Sequence, residues 1–183
     1  YLWNSEKISV TEFSTLLDKV PNEVAVMTVM VQCHCGGFAD LIFNQADPTK
    51  GASKANRCGF FATVYDRPAA GCTPDIDEEN YQEYSTYFWE AIRGVTRTGK
   101  PVGNCDYDKN GSVSFSEAHA YAVITSSTID ISVSTSDSFL RAYGKPARGS
   151  TSPTNALLTA DSPFDQLFKT ATPSQQAILT GLS

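Results

Sequence analysis

Between Ser9 and Val20 apolar residues return every three or four positions, at Phe13, Leu16, Leu17 and Val20. That is the spacing of one helix face. Ser9 and Glu12 frame its start as a capping box, each satisfying an orphan backbone N–H, and Pro21-Asn22 end it. The pattern then changes. Val24 to Gln32 is an unbroken run rich in Val and Met. Its lack of alternation predicts a strand buried on both faces, as in a parallel sheet covered by helices. Gly36-Gly37 predict a turn, 38–43 the start of a helix, and Gly59 to Tyr65 a second strand. Tyr81, Tyr84, Tyr87, Phe88 and Ile92 repeat at helical steps within Glu78 to Ile92. Ser114 to Ile124, Asp137 to Tyr143 and Pro163 to Ala171 also read as helices. Another opens at Thr172-Pro173, with Pro at its first position. Polar or Gly/Pro-rich stretches at 45–57, 66–74, 94–105 and 144–153 read as loops. Beyond Ser126 the pattern is weak. Strands alternating with helices predict an α/β layered fold.

Composition narrows the partners more than the fold. Of 183 residues, 41% are hydrophobic and 19% charged, which suits a globular chain with a real core. The net charge is −6, from 14 basic and 20 acidic residues. A nucleic-acid partner needs a basic face, so none is expected. No apolar run is long enough to span a bilayer. The five cysteines are an odd set and form no disulfide framework. Low charge and many Ser and Thr residues fit a secreted or extracytoplasmic protein. The start at Tyr1 and the last residues, 177–183, which read as a helix cut short, are those expected of a fragment or cleavage product of a longer protein.

The apolar run ends in Cys33-His34-Cys35-Gly36-Gly37. In open parallel sheets ligands bind beyond the carboxyl ends of strands, where Cys33 sits. A following helix can aim its N-terminus at the thiol and favour the thiolate. Glycines after it let a substrate backbone approach. Three other readings compete: a small buried hydrophobe, a zinc clip through Cys33, His34 and Cys35, and a redox pair. Adjacent side chains on an extended segment point opposite ways, which opposes the zinc clip. A redox pair normally has two intervening residues.

This strand and turn resemble the nucleophile turn of the caspase-like cysteine peptidases: caspases, metacaspases, gingipains and legumains. Metacaspases show Cys-His-Ser-Gly there, and Cys35 takes the Ser position. Gly59-Phe60-Phe61-Ala62-Thr63 resembles a legumain strand beginning Tyr-Ala-Thr. The loop after it, through Ala69, Ala70 and Cys72, falls where legumains build one wall of the primary specificity pocket. Ser136 to Tyr143 resembles a late helix of the family. The resemblance covers roughly 5–145, with long gaps. It implies peptide-bond hydrolysis, with Cys33 attacking the carbonyl and its backbone N–H helping to hold the oxyanion, beside Gly36 and Gly37. It also implies a histidine at the end of the preceding strand, in caspases about 50 residues upstream. No His precedes Cys33 here, so that residue is expected upstream of Tyr1. His34 should face away from Cys33, and His119 lies downstream of the implied region. Two residues before the nucleophile legumains carry Glu, metacaspases Asp and caspases Gln. Val31 stands here, so the pocket lacks that polar group. Asp66 and Arg67, in the wall loop, oppose each other in sign and select no substrate.

Asp106-Tyr107-Asp108-Lys109-Asn110-Gly111-Ser112-Val113-Ser114-Phe115-Ser116-Glu117 matches the EF-hand calcium loop position for position. Asp106, Asp108 and Asn110 offer side-chain oxygens at positions 1, 3 and 5. Gly111 makes the turn, Ser112 offers its carbonyl, Ser114 acts through water, and Glu117 chelates with both oxygens. Calcium wants about six to eight oxygens, which this spacing wraps around one point. Gly94 to Cys105, with Pro101 and Gly103, interrupts the approach to the loop, so a structural staple is expected rather than a switch.

The expected architecture is a three-layer α/β/α sandwich with a mostly parallel sheet, present here as a fragment. Residues 1–145 would form the catalytic region, with the calcium loop at 106–117, and 146–183 a helical C-terminal extension. The expected activity is cysteine endopeptidase, acting on a protein or peptide substrate. The N-terminal portion of its own precursor is a possible partner. The alternative is a calcium-binding, catalytically inactive caspase-like interaction module.

Overall fold

A computed structural model describes residues 7–71, 82–144 and 162–183. In chain order it has α1 (Val10–Leu17), β1 (Val26–Met30), a 3₁₀ helix (Cys35–Ile42), β2 (Arg57–Phe61), α2 (Tyr84–Arg93) and α3 (Phe115–Thr125). Then come β3 (Val133–Ser134), α4 (Thr135–Tyr143), α5 (Phe164–Thr170) and α6 (Pro173–Gly181). The fold is mixed α/β around a small sheet of order β1-β2-β3. β1 and β2 pair in parallel, with Val26 opposite Arg57 and Met30 opposite Phe61, whereas β2 and β3 are antiparallel. The sheet is therefore mixed rather than mostly parallel. No helix among the described residues is long and apolar enough to cross a membrane.

The chain divides into two compact units. The first runs to Pro68 and resumes at Ile131; the second covers Ala69–Asp130 and the C-terminal helices α5 and α6. The C-terminal helices thus share a unit with the acidic loop.

In the first unit α1 opens with the expected capping box of Ser9 and Glu12. Its Phe13 meets Phe38 of the 3₁₀ helix edge to face, with centroids 5.6 Å apart. Phe43, fully buried, lies against Phe139 and Tyr143 of α4. A buried guanidinium ties these pieces together. Arg57, 6% exposed, donates to the carbonyls of Leu41 and Phe43, to Oγ of Ser14 and to Asp18, the last at 2.8 Å.

Four expectations need correcting here. Val24 to Gln32 is not buried on both faces: Met27 is 48% exposed and no β1 residue is fully buried. The reason is that β1 is an edge strand, paired only with β2 among the described residues. Gly36 and Gly37 do not form a free turn but lie inside the 3₁₀ helix, and neither has a positive φ. The weak pattern after Ser126 concealed β3, only two residues long and visible only through its pairing with Phe60 and Phe61. The second strand is also shorter and earlier than expected, Arg57–Phe61 rather than Gly59 to Tyr65.

In the second unit α2 and α3 pack through Tyr84, Phe88, Ala91, Ala118 and Ala122, all buried. The expected helix from Glu78 is seen from Tyr84; 72–81, including Cys72, lie outside the described residues. Gly94 ends α2 in the left-handed region at φ 72°, a conformation glycine adopts without strain.

Candidate functional site

The apolar strand delivers its two cysteines to opposite environments. Cys33 is an exposed thiol just past the carboxyl end of β1. Cys35 is 1% exposed, and its Sγ–H points at the carbonyls of Met30 and Thr63, at 3.5 and 3.7 Å. Cys35 therefore fills space between the ends of β1 and β2. A zinc clip at 33–35 does not form. Among the described residues the only cluster of metal-ligating side chains is Asp106, Asp108 and Glu117.

The turn between the cysteines is set by His34, in the left-handed region at φ 61°. Its backbone N–H donates to the Arg67 carbonyl at 2.9 Å. Its Nδ1–H donates to the Tyr65 carbonyl, also at 2.9 Å. His34 thus anchors the turn to the chain after β2, a positioning role that no local pattern announces. Gly36 completes the anchoring. A Cβ there would lie 2.5 Å from the Thr63 carbonyl oxygen and 2.7 Å from Cα of Val64. Glycine is required at 36 by close packing of backbone on backbone. At Gly37 a Cβ would meet only Cβ of Tyr65, at an ordinary 3.7 Å. A cleft of about 250 Å³ opens beside Gly36, Gly37 and Tyr65, bounded across by Asp40, Asp137 and Arg141.

Of the remaining residues expected at the site, Val31 is 38% exposed and belongs to the first unit. Ala69 and Ala70 are half-buried in the second. The Ala70 N–H donates to Oδ1 of Asp130 at 2.6 Å, while Oδ2 of Asp130 is buried and unpartnered among the described residues. Asp130 as the anchor of that loop was not foreseen. His119 is a core residue of the second unit, 9% exposed, with Nδ1 and the Tyr84 hydroxyl 2.8 Å apart.

The acidic loop is closed by its own hydrogen bonds. Asp106 accepts from the N–H groups of Asn110 and Gly111, at 3.0 and 2.8 Å. Asp108 accepts from the Asn110 N–H, and the Asn110 side chain from the Ser112 N–H. Gly111 turns at φ 90° with nothing near its absent side chain, so it is needed for its backbone alone. Glu117 reaches back across the loop. Its Oε1 accepts from the N–H groups of Tyr107 and Asp108, and its Oε2 from the N–H and hydroxyl of Ser114. Glu117 is also the capping-box residue of α3. Burial pushes its carboxyl up, but the hydrogen bonds from Ser114, Asp108 and Tyr107 together outweigh that and hold it below its ordinary value. The Gly111 N–H, ahead of a smaller opposing desolvation, likewise holds Asp106 low.

Calcium fits this donor set. One oxygen from each of Asp106, Asp108 and Glu117 lies within 4.8 Å of the others. Oxygens about 2.3–2.6 Å from a shared calcium ion can be no further apart than about 4.6–5.2 Å. All the donors are hard oxygens, the Ser112 carbonyl included, as calcium prefers. No family model, curated protein or solved structure matches the chain.

Proposed function

We propose that the chain is the Cys33-bearing part of a caspase-like cysteine peptidase steadied by calcium. The observation that carries this reading is the division of labour between two neighbouring cysteines. One thiol is exposed beyond the end of a parallel strand pair, and the other is packed away. In the proposed reaction the Cys33 thiolate attacks a peptide carbonyl, and the new C–S bond pushes the carbonyl electrons onto oxygen. The backbone N–H of Cys33, beside Gly36 and Gly37, stabilises that oxyanion. Collapse breaks the C–N bond, the leaving amine takes its proton from a histidine, and water then hydrolyses the thioester and restores the thiol.

The reading needs a histidine that neither His34 nor His119 supplies, carried on a strand that pairs with the open edge of β1. That strand would extend the small sheet into a three-layer, mostly parallel α/β/α sandwich. The half-exposed Met27 and the unpartnered outer edge of β1 among the described residues support the assignment, since apolar edges are normally covered. Substrates in this reading are proteins or peptides. Calcium is held by Asp106, Asp108, Asn110, the Ser112 carbonyl and Glu117, which suits a secreted or extracytoplasmic setting. The ion supplies charge neutralisation at the loop.

Labelling by a peptide-based electrophile tests the proposal. Full precursor should be captured selectively at Cys33, with no capture in Cys33→Ala. No capture at Cys33 favours the second reading, a calcium-binding interaction module without activity. The commitments of both histidines argue for that alternative: Nδ1 of His34 is used on Tyr65, and His119 is buried with Tyr84.

A further inference from the structure

The acidic loop has a neighbour that a mere staple would not need. Tyr107 stands between Asp106 and Asp108, and its backbone N–H donates to Glu117 at 2.7 Å. Tyr107 lines a cleft of about 460 Å³ with Ile124 of α3, Phe168 of α5 and Pro173, Gln176 and Ala177 of α6. The same α6 rests on the helix that leaves the loop. A Cβ on Gly181 would lie 2.6 and 2.9 Å from Cγ2 and Cγ1 of Ile124, so the α6 backbone itself touches that side chain. The Gln176 side-chain amide donates to the carbonyls of Phe168 and Ala171, at 3.0 and 3.1 Å, fixing α5 to α6. Tyr107 of the loop and Ile124 of its exit helix therefore line one cleft with the C-terminal helix pair.

Three carboxylates with oxygens within 4.8 Å of one another repel when no cation sits among them. A cation removes the repulsion and fixes Asp106 and Asp108, and with them the residue between. We infer that calcium binding at 106–117 latches the α5–α6 pair onto α3 through Tyr107, so that the ion governs docking of the C-terminal helices. The inference rests on the calcium assignment and is independent of peptidase activity. Linkage makes the effect reciprocal: whatever factor calcium adds to docking, docking adds to calcium affinity.

Amide hydrogen exchange on the full chain, with calcium and with magnesium as control, tests the latch. Calcium should slow exchange across residues 177–181 about tenfold or more, with a ceiling of about a hundredfold at calcium a hundred times its Kd. In Tyr107→Ala the loop amides of Gly111 and Ser112 should still respond to calcium while those of α6 do not. Tyr107→Phe should keep both responses. Slowed loop amides with unchanged α6 amides in the unsubstituted chain would overturn the latch and leave the calcium site standing. So would an α6 response that survives Tyr107→Ala. If calcium changes neither region, the calcium assignment falls and the latch with it. The unsubstituted comparison decides the matter even if the alanine variant fails to fold.

Discussion

The turn at Cys33 and the loop at Asp106 are both short, both contain glycine and both gather candidate functional atoms, yet they are held in opposite ways. The turn borrows its restraints from far along the chain. His34 is tied to Tyr65 and Arg67, Cys35 faces the Thr63 carbonyl, and Gly36 lies flat against Thr63 and Val64. The loop is restrained from within: its hydrogen bonds join residues between Asp106 and Glu117. The two glycines summarise the difference. Gly36 is required because something else occupies the space of a side chain, Gly111 because its backbone turns at positive φ in open surroundings. A turn built by packing should fail with the fold. A loop built by local hydrogen bonds should fail locally.

That contrast can be broken by substitution, starting with the largest effect. Gly36→Ala should cost about 3 kcal/mol, because the backbone it strikes cannot move aside; the midpoint of urea unfolding reads this directly. Glu117→Ala should cost about 2 kcal/mol even without calcium, since it strands the N–H groups of Tyr107, Asp108 and Ser114 and removes the α3 capping box. Gly111→Ala should cost about 1 kcal/mol, the strain of a left-handed residue with no clash. An order of unfolding midpoints in which Gly111→Ala is the most damaging would reverse the contrast. Cys33→Ser should change stability by less than about 0.5 kcal/mol, as expected of an exposed site, and should abolish electrophile capture.

Calcium and acid sharpen the same comparison. Calcium should raise the melting temperature, and Asp106→Ala should remove that rise; a rise that persists in the variant would exclude the loop as the binding site. The carboxyls of Asp106 and Glu117 are held below their ordinary values by backbone N–H groups. Their stabilisation is therefore complete above the ordinary carboxylate range near about pH 4 and is lost as pH falls through the lower folded-state values. Acid titration of the calcium-free protein, followed by fluorescence of Trp89, should report this loss. Trp89 lies edge-on to Phe115 at the start of α3, with centroids 6.0 Å apart. A signal that is flat to the lowest pH while the rest of the protein unfolds would contradict it.

Much of this was legible in the residues alone. The capping box at Ser9, the helical stripe of α2 and the helix at 114–124 are patterns of near neighbours, and each forms as expected at its centre, with ends that shift. The strand before Cys33 was also legible, but its burial was not. Continuous hydrophobicity shows what a strand could bury, and Met27 is half exposed because only one side of β1 has a partner among the described residues. Arg57 was not legible at all, since its acceptors at Leu41, Phe43, Ser14 and Asp18 lie 14 to 43 positions away.

By itself the order of residues determined where most helices lie, that a thiol follows an apolar strand, and that one twelve-residue stretch carries the oxygen spacing of a calcium loop. Those are consequences of bonds and torsions reaching only a few residues. Which of two cysteines meets water, why Gly36 admits no side chain, what both histidines are bound to, and that α5 and α6 share a unit with the acidic loop were decided only by the tertiary structure. Each depends on which distant backbone arrives alongside, and no local preference encodes that.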